Sequence, residues 1–401
     1  MASPDEEPNI GDFGTSSDLN CNYYTLDEYC STSKDGISFF NFNMRSFHSN
    51  GLLFEVFLNS LPCLPEILLT TETWNNSNNH NLCFFDNYSG FHSYRIGSGR
   101  GGGVSIFCLD DYHAIKLDNA SIINDDIETC AIRVKINNLS LTILGVYRPP
   151  SGHRGNFIIT LESIIYSGVL NSDFIIVSGD MNINLLQDSD DVKNYNSMLR
   201  SMNFLSVITE PTRFPPGNHQ NISPSILDHT WVCKNIISRA GIINIDISDH
   251  LPTFIHFNFP ISEESLRTIK FRPFTESNLE LLTRKIAAAD WHSFLNFSNV
   301  NEACIAFITF LDKIYCESFP VKIKNLSGKR VKNGWMSGKL KRLINLKSEY
   351  FRLYRRGSVT REANDIIKNC VNKEVKNAKE IYHEKLFDRT RSDMKKIGYH
   401  T

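Results

Sequence analysis

The chain has 401 residues, 41% of them hydrophobic, and a formal net charge of −2, enough apolar material for two domains or one large domain with an appendage. The neutral total hides an asymmetry: residues 321–401 carry 22 Lys and Arg against 8 Asp and Glu, so the rest of the chain is acidic. No apolar stretch approaches the 18 residues of a membrane span, Met1–Asn20 has no apolar core of a signal peptide, and the ten Cys form neither CxxC pairs nor zinc-finger spacing, which together read as a reduced, intracellular protein.

Residues 1–35 are rich in Asp, Glu, Ser and Asn without apolar patterning and read as disordered. From 36 to 260 short β-rich runs alternate with loops. The strands expected are Ile37–Phe42, Glu66–Thr71, Gly103–Phe107, Thr129–Ile136, Leu141–Tyr147, Phe174–Ser178, Ile226–Cys233 and Thr253–Phe259. Phe157–Tyr166 and Val192–Met202 read as helices. This order predicts a mixed α/β domain. From 261 to 401 the pattern is helical and basic, with helices expected over Glu276–Ala288, Asn301–Cys316, Lys339–Arg356 and Arg361–Leu386. The last is amphipathic, with Ala363, Ile366, Ile367, Cys370, Val371 and Val375 at 3–4 spacing. A basic tail suits contact with a polyanion, although a charge run by itself more often marks a solvated helix face.

Six segments between 42 and 252 end β-like runs with polar groups. Phe42-Asn43-Met44-Arg45-Ser46 closes the first strand, where Asn alone is usually a turn former. In Leu68-Leu69-Thr70-Thr71-Glu72-Thr73-Trp74 a carboxylate follows a buried run, and it must be solvated, paired or on a metal, because burying it alone is costly. Gly145-Val146-Tyr147-Arg148-Pro149-Pro150 puts an aromatic before a stiffened loop, in isolation a packed domain edge. Ser178-Gly179-Asp180-Met181-Asn182-Ile183-Asn184 turns sharply at its glycine, and Asp180 and Asn182, two apart, face one way; an Asx-turn accounts for one of them but not both. Asp228 lies within the strand-like run Ile226-Leu227-Asp228-His229-Thr230-Trp231 and needs a partner. Ser248-Asp249-His250-Leu251-Pro252 sets an imidazole beside a carboxylate, which with Asp228 looks like a base and its orienting partner. Jointly the six supply what metal-assisted phosphodiester hydrolysis needs: an acidic ligand for a hard cation, a base for water, and donors for developing charge. Arg100-Gly101-Gly102-Gly103 lacks the ending of a phosphate-binding loop, so no nucleotide cofactor is expected.

The ordered set resembles the endonuclease/exonuclease/phosphatase superfamily, and the Glu72-Thr73-Trp74 and Tyr147-Arg148-Pro149-Pro150 forms resemble the apurinic-type endonuclease of non-LTR (LINE-type, jockey/CR1-like) retrotransposon proteins. The resemblance implies a DNase I-like α/β fold, a four-layer α/β sandwich of two packed mixed sheets flanked by helices, with a helical C-terminal appendage. It implies Mg²⁺, with Mn²⁺ as a substitute, held by Glu72 with Asn43 and Asp249 near it. His250 would be general base or phosphorane stabiliser, oriented by Asp228. Asp180 would be the alternative base or proton donor. Asn182 and Tyr147 would bond the phosphate, and Arg45, Arg148 and Asn184 would bind substrate. Arg272-Pro273-Phe274, Ala289-Asp290-Trp291, Phe319-Pro320 and Gly334-Trp335-Met336 resemble, more weakly, the linker that precedes reverse transcriptase, which this sequence lacks.

The reaction expected is nicking of duplex DNA to 3′-OH and 5′-phosphate, in the nucleus, with no membrane partner and with RNA as a second ligand of the basic tail. The rivals are an apurinic-site repair or other phosphodiesterase of the same superfamily, and a catalytically inactive nucleic-acid-binding remnant.

Overall fold

The computed structural model describes residues 20–31, 36–76, 85–96, 101–136, 139–168, 170–214, 223–233, 237–257, 268–273, 275–291, 299–325, 334–355 and 357–397. It divides into two compact units, Met1–Ile261 with Arg330–Thr401, and Ser262–Lys329. The units do not follow a single cut at 260: the last two helices belong with the α/β unit. Arg100, residues 258–260, Phe274, Arg356 and most of residues 1–35 lie outside the described residues.

The first unit contains β1 (Asn22–Tyr24), α1 (Leu26–Ser31), β2 (Ile37–Asn43), α2 (Phe47–Ser60), β3 (Ile67–Thr71), β4 (Tyr88–Ser93), β5 (Val104–Leu109), β6 (Ile115–Lys116), β7 (Glu128–Ile136), β8 (Leu139–Tyr147), α3 (Arg154–Tyr166), β9 (Phe174–Asp180), α4 (Asp190–Ser201), β10 (Leu205–Ser206), β11 (Asp228–Val232), β12 (Ile237–Ile243) and β13 (Thr253–Phe257). They form a seven-stranded sheet, order β1-β12-β13-β2-β3-β5-β4, and a six-stranded sheet, order β10-β11-β9-β8-β7-β6. Both are mixed, with parallel pairing at β1–β12 and β2–β3 in the first and at β8–β9 in the second.

Side-chain alternation explains the layering. Ile37, Phe39, Ile67, Leu69 and Ile106 of the first sheet meet Cys130, Ile132, Ile143 and Ile176 of the second. The opposite faces of the same strands present Phe40, Phe42, Leu68 and Phe107 to Leu53, Phe54 and Phe57 of α2. Likewise Leu144, Val146, Val177 and Trp231 pack on Phe157 and Leu161 of α3 and Tyr195 and Leu199 of α4. The result is the expected four-layer sandwich. Strands buried on both faces read as unbroken apolar runs, as Ile67-Leu68-Leu69 does.

Two departures from the sequence reading bear on the site. The segment expected to be disordered holds β1 and α1, fixed because Asn22–Tyr24 pairs with Gly241–Ile243 and the Tyr29 ring is buried. And α2 was not expected: its four-residue opening Phe47-His48-Ser49-Asn50 and Gly51 are weak helix formers, so packing on the sheet decides it. Its N-cap, Ser46, accepts from the Ser49 amide at 3.2 Å.

Helices α7 (Gly338–Arg355) and α8 (Arg361–Ile397) complete the first unit. Leu340 and Ile344 of α7, Val371 and Val375 of α8 and the preceding Trp335 form a cluster with Val56 of α2. Lys379 pairs with Glu55. The second unit holds β14 (Thr268–Phe271) antiparallel to β15 (Lys322–Asn325), with α5 (Glu276–Ala287) and α6 (Val300–Ser318). Within it, Arg272 donates to the Phe319 carbonyl at 2.5 Å.

Candidate active site

Strand register collects the chemistry at one end of both sheets. Asn43 ends β2 and pairs with Thr71, the end of β3, and Glu72 follows directly. In the second sheet Tyr147 ends β8 and pairs with Asp180, the end of β9. Asp180 pairs in turn with Asp228, the first residue of the antiparallel β11. Parallel pairing therefore delivers Asn43, Glu72, Tyr147 and Asp180 to one edge, and the antiparallel neighbour adds Asp228.

The chain leaves these strands in the left-handed region at Arg45 (φ 45°), Ser46 (92°), Glu72 (48°), Trp74 (57°) and Asn182 (47°). Non-glycine residues held there cost about 1–3 kcal/mol each and persist only where the surroundings over-determine them. Gly179 is required as glycine, because at its φ of 143° a Cβ would lie 1.8 Å from the Val146 carbonyl oxygen.

A continuous hydrogen-bond network joins the groups. Asn43 Nδ2 donates to Glu72 Oε1 at 2.9 Å and to Asp180 Oδ2 at 2.7 Å, while its Oδ1 accepts from the Arg45 amide at 3.0 Å. Asp180 Oδ1 accepts from the Asn182 amide at 3.0 Å. Asn182 Nδ2 donates to the Arg148 carbonyl at 2.8 Å and faces Asp180 Oδ2 at 3.4 Å. His250 Nδ1 donates to Asp228 Oδ2 at 2.8 Å, and the Thr212 hydroxyl donates to the same oxygen at 2.6 Å. Asp249 Oδ2 accepts from Arg45 at 2.6 Å and Arg213 at 3.0 Å. Trp74 Nε1 faces Glu72 Oε2 at 3.4 Å.

Burial and mutual charge set the proton affinities. Burial would pull the His250 imidazole down, but the Asp228 carboxylate in contact with it, helped by Asp180 and Asp249, raises it to about 9, so it is held as imidazolium. Burial pushes the Asp180 carboxyl up to about 7; His250 opposes this and Asp228 and Glu72 add to it. Burial acts upward on Asp249 too, yet His250, Arg45 and Arg213 hold its carboxyl below the usual range. Burial first, then Glu72 and Asp180, raises the Tyr147 phenol, which stays protonated.

The structure thus brings together Asn43, Glu72, Tyr147, Asp180, Asn182, Asp228, Asp249 and His250, with Arg45 at the rim. Two residues expected to bind substrate have other duties. The buried Arg148 guanidinium donates to the carbonyls of Met181, Asn182, Pro149 and Gly152, so it organises two loops and is not presented to a ligand. Asn184 Oδ1 accepts from the Leu186 and Ile226 amides and ties its loop to the start of β11. Asn43 also differs from expectation: it offers N–H groups, not an oxygen, to Glu72 and Asp180. Thr212 and Arg213 were not anticipated, since Pro211-Thr212-Arg213 carries no pattern that marks it and reaches the site only through tertiary folding.

The arrangement fits a divalent cation. Asp249 Oδ1 is buried without a hydrogen-bond partner among the described residues. Four carboxylates converge, and two of them push Asp180 upward, a repulsion that a cation relieves. Asp249 Oδ1 and the Glu72 carboxylate, which accepts only from the neutral donors of Asn43 and Trp74, offer hard oxygen ligands that suit Mg²⁺. Ligand atoms of Asp180, Asp228 and His250 also lie within 4.8 Å of one another, close enough to share a metal ion. That trio is, however, already engaged: an imidazolium bonded to Asp228 has no free lone pair at Nδ1 to offer.

The sequence profile of the endonuclease/exonuclease/phosphatase family matches residues 40–250. Curated protein sequences give no match. Among solved structures, similar ones include the endonuclease domain of TRAS1, described as a telomere-specific non-LTR retrotransposon, at 14% identity and TM-score 0.43, covering 56% of this chain and 99% of that one. The APE2 catalytic domain from Xenopus laevis is 15% identical, with TM-score 0.44, covering 55% and 92%. The AP endonuclease LMAP from Leishmania major is 13% identical, with TM-score 0.45, covering 56% and 89%.

Proposed function

Because the chain belongs to the endonuclease/exonuclease/phosphatase family, and is accordingly a metal-dependent hydrolase, we propose that it is an endonuclease that uses Mg²⁺ to nick one strand of duplex DNA, leaving 3′-OH and 5′-phosphate ends. Its biological setting is the target-site nick of a non-LTR retrotransposon. The observation that carries the reading is the Asp228–His250 pair set beside a second buried carboxylate, Asp180, whose proton affinity lies near neutrality. The retrotransposon assignment is supported by the Glu72-Thr73-Trp74 and Tyr147-Arg148-Pro149-Pro150 forms.

In this reading Asp180 is the base. It is poised to take a proton from the attacking water, and the Asn43 and Asn182 amides hold its two oxygens in place. The His250 imidazolium, fixed by Asp228, offsets negative charge on the phosphorane. The Tyr147 phenol, kept protonated, donates to a phosphate oxygen. The P–O3′ bond breaks, the departing 3′ oxygen takes a proton from solvent water, and the product strands carry the 3′-hydroxyl and the 5′-phosphate. Glu72 and Asp249 would hold Mg²⁺, which when bound would supply Lewis-acid polarisation of the phosphate.

The test is conversion of supercoiled plasmid to open circle by purified protein with Mg²⁺ or with EDTA, alongside His250→Ala and Glu72→Ala. Nicking by wild type alone, and only with the metal, supports the proposal. Folded wild-type protein that leaves the plasmid intact with both Mg²⁺ and Mn²⁺ refutes it. Cleavage of abasic duplex far in excess of intact duplex replaces it with the repair-type reading.

A further inference from the structure

The loop between β12 and β13, residues 244–252, carries Asp249 and His250, yet the stretch 244–248 has no strand ladder of its own. One side of it is tied to the catalytic groups: Ser248 Oγ donates to the Asn43 carbonyl at 2.8 Å, and the Leu251 amide donates to the Thr212 carbonyl at 2.8 Å. The other side is tied to the C-terminal helical hairpin, and every tie converges on a few loop residues. Lys347 of α7 donates to the Asp246 carbonyl. Lys368 of α8 pairs with Asp246 Oδ1 at 3.1 Å and reaches the Ile247 carbonyl at 3.5 Å. Asn364 Nδ2 faces Asp246 Oδ2 at 3.5 Å. At the end of α7, Arg355 donates to Asn244 Oδ1 and lies over the Phe214 ring at 3.5 Å from its centroid.

Asp246, Lys347 and Asn364 are each about 5% exposed. Buried charge is tolerated only when paired, and it is costly when one partner is lost. Burial pulls the Lys347 amine down to about 8, a measure of that cost. An amphipathic hairpin that needed only to cover α2 would do so with Val371, Val375, Leu340 and Ile344, and would keep its lysines in water. Here two lysines from different helices are directed at one acidic residue, three positions before Asp249.

We propose that Lys347, Asn364 and Lys368 are positioning residues for the catalytic loop: by holding Asp246 they set where Asp249 and His250 stand. The basic C-terminal hairpin is then part of the active-site scaffold and not a separable linker. The inference rests on the proposed nuclease reading for its catalytic consequence, but the loop-holding itself is measurable without activity.

The experiment uses the full chain with Lys347→Met, Lys368→Gln and Lys368→Arg. Hydrogen–deuterium exchange is followed in peptides covering 244–251 and, as internal reference, in β8 and β9. Steady-state nicking of a defined duplex is measured in parallel. Expected for Lys347→Met and Lys368→Gln is exchange at least about 10-fold faster in 244–251 with the reference strands unchanged, a local opening. A displacement of about 1 Å at a reacting group costs roughly 100-fold, so kcat should fall about 10- to 100-fold while KM stays within about twofold. Lys368→Arg, which keeps the pair with Asp246, restores both. If Lys347→Met does not fold, the half-buried Lys368 is read alone. Unchanged loop exchange overturns the proposal, as does faster exchange throughout the sheets, which marks general destabilisation. A rise in KM with kcat unchanged also overturns it, assigning these lysines to substrate contact. Loop loosening in variants of a wild type that does not nick DNA refutes the proposed function and leaves the positioning role standing.

Discussion

Replacing Asp228 by Asn tests the electrostatic core of the site. Asp228 is fully buried, and its Oδ2 accepts the Nδ1 proton of His250. Burial alone lowers the imidazole; the Asp228 charge and hydrogen bond are the largest opposing causes and carry it from 6.5 to about 9. That rise corresponds to a few kcal/mol favouring the imidazolium. Asparagine removes that charge and leaves the desolvation, while Asp180 and Asp249 still act upward, so in the variant the group titrates well below 9, near its ordinary value. For a group back at the ordinary imidazole value, the imidazolium fraction at pH 8 drops from about nine-tenths to about 3%, a loss of roughly 30-fold from protonation alone. Misorientation of the ring adds to it. The assay is the initial nicking rate of supercoiled plasmid from pH 6 to pH 9.5 at saturating Mg²⁺, with circular dichroism to confirm folding. On the alkaline side, wild type should lose activity only as pH rises through about 9. In Asp228→Asn the alkaline fall should move down to near the ordinary imidazole value, and the deficit should shrink to a few-fold at pH 6. Thr212→Val, which removes one hydrogen bond to Oδ2 but keeps the charge, should leave the alkaline limb near 9. An alkaline limb that stays near 9 in Asp228→Asn, or a deficit constant across the range, refutes the assignment of His250 as a cation held by Asp228.

Activity should rise as pH increases through about 7, where Asp180 loses its proton, and Asp180→Asn should abolish that limb along with most of kcat; the two limbs are apparent values of a coupled cluster. Buried His229 donates from Nε2 to the Ile183 and Ile226 carbonyls, and burial lowers it to about 4. Its folded value is depressed, so its stability contribution is complete above 6.5 and is lost as pH falls towards 4. Urea unfolding should show roughly 2 kcal/mol lost between pH 7.5 and pH 5, and His229→Gln should flatten that dependence. Arg148→Ala should lower stability by about 2–4 kcal/mol by leaving buried carbonyls without donors, and Arg148→Lys should not rescue it. An Arg148→Ala protein with unchanged melting temperature and a raised KM would return that residue to the substrate.

How far the sequence could be read depended on whether a residue's partner was local. Asn43, Glu72, Tyr147, Asp180 and Asp228 stand at the ends of strands whose apolar runs are visible, and the two-residue spacing of Asp180 and Asn182 marks their common direction. The face-to-face sheets follow from the same runs, because strands buried on both sides lose the alternation of a half-exposed sheet. Helix α2 escaped notice because Phe, Asn, His and Gly do not announce a helix; its form is decided by Phe54 and Phe57 meeting Phe40 and Phe42 across the layer. Strand β12, Ile237-Ser238-Arg239-Ala240-Gly241-Ile242-Ile243, was hidden by its Arg and Gly, and β1 by its brevity. Arg148 shows the reverse error, a chemically apt side chain beside the site whose donors are consumed by backbone carbonyls 33 and 34 residues away.

The hairpin of α7 and α8 shows why charge counts alone are a weak guide to partners. Its amphipathic pattern was legible, and its excess of Lys and Arg pointed outward to a polyanion. Yet Lys347, Lys368, Lys379 and Arg355 are each committed to the chain itself, at Asp246, Glu55 and Asn244. Sequence separations of 101 to 324 residues put such pairings beyond any local pattern. What remains on that hairpin for a nucleic acid is a set that includes the exposed Arg352 and Arg361. Phosphate-directed contacts are salt-dependent, each neutralised phosphate adding about 0.9 to the slope of log affinity against log salt on duplex DNA. Replacing Arg352 and Arg361 by Gln should therefore reduce that slope by at most about two, whereas replacing Lys347 or Lys368 should leave it unchanged while lowering kcat. A slope that falls with the buried lysines would mean that they reach the substrate after all, and that Asp246 is not what they were placed to hold.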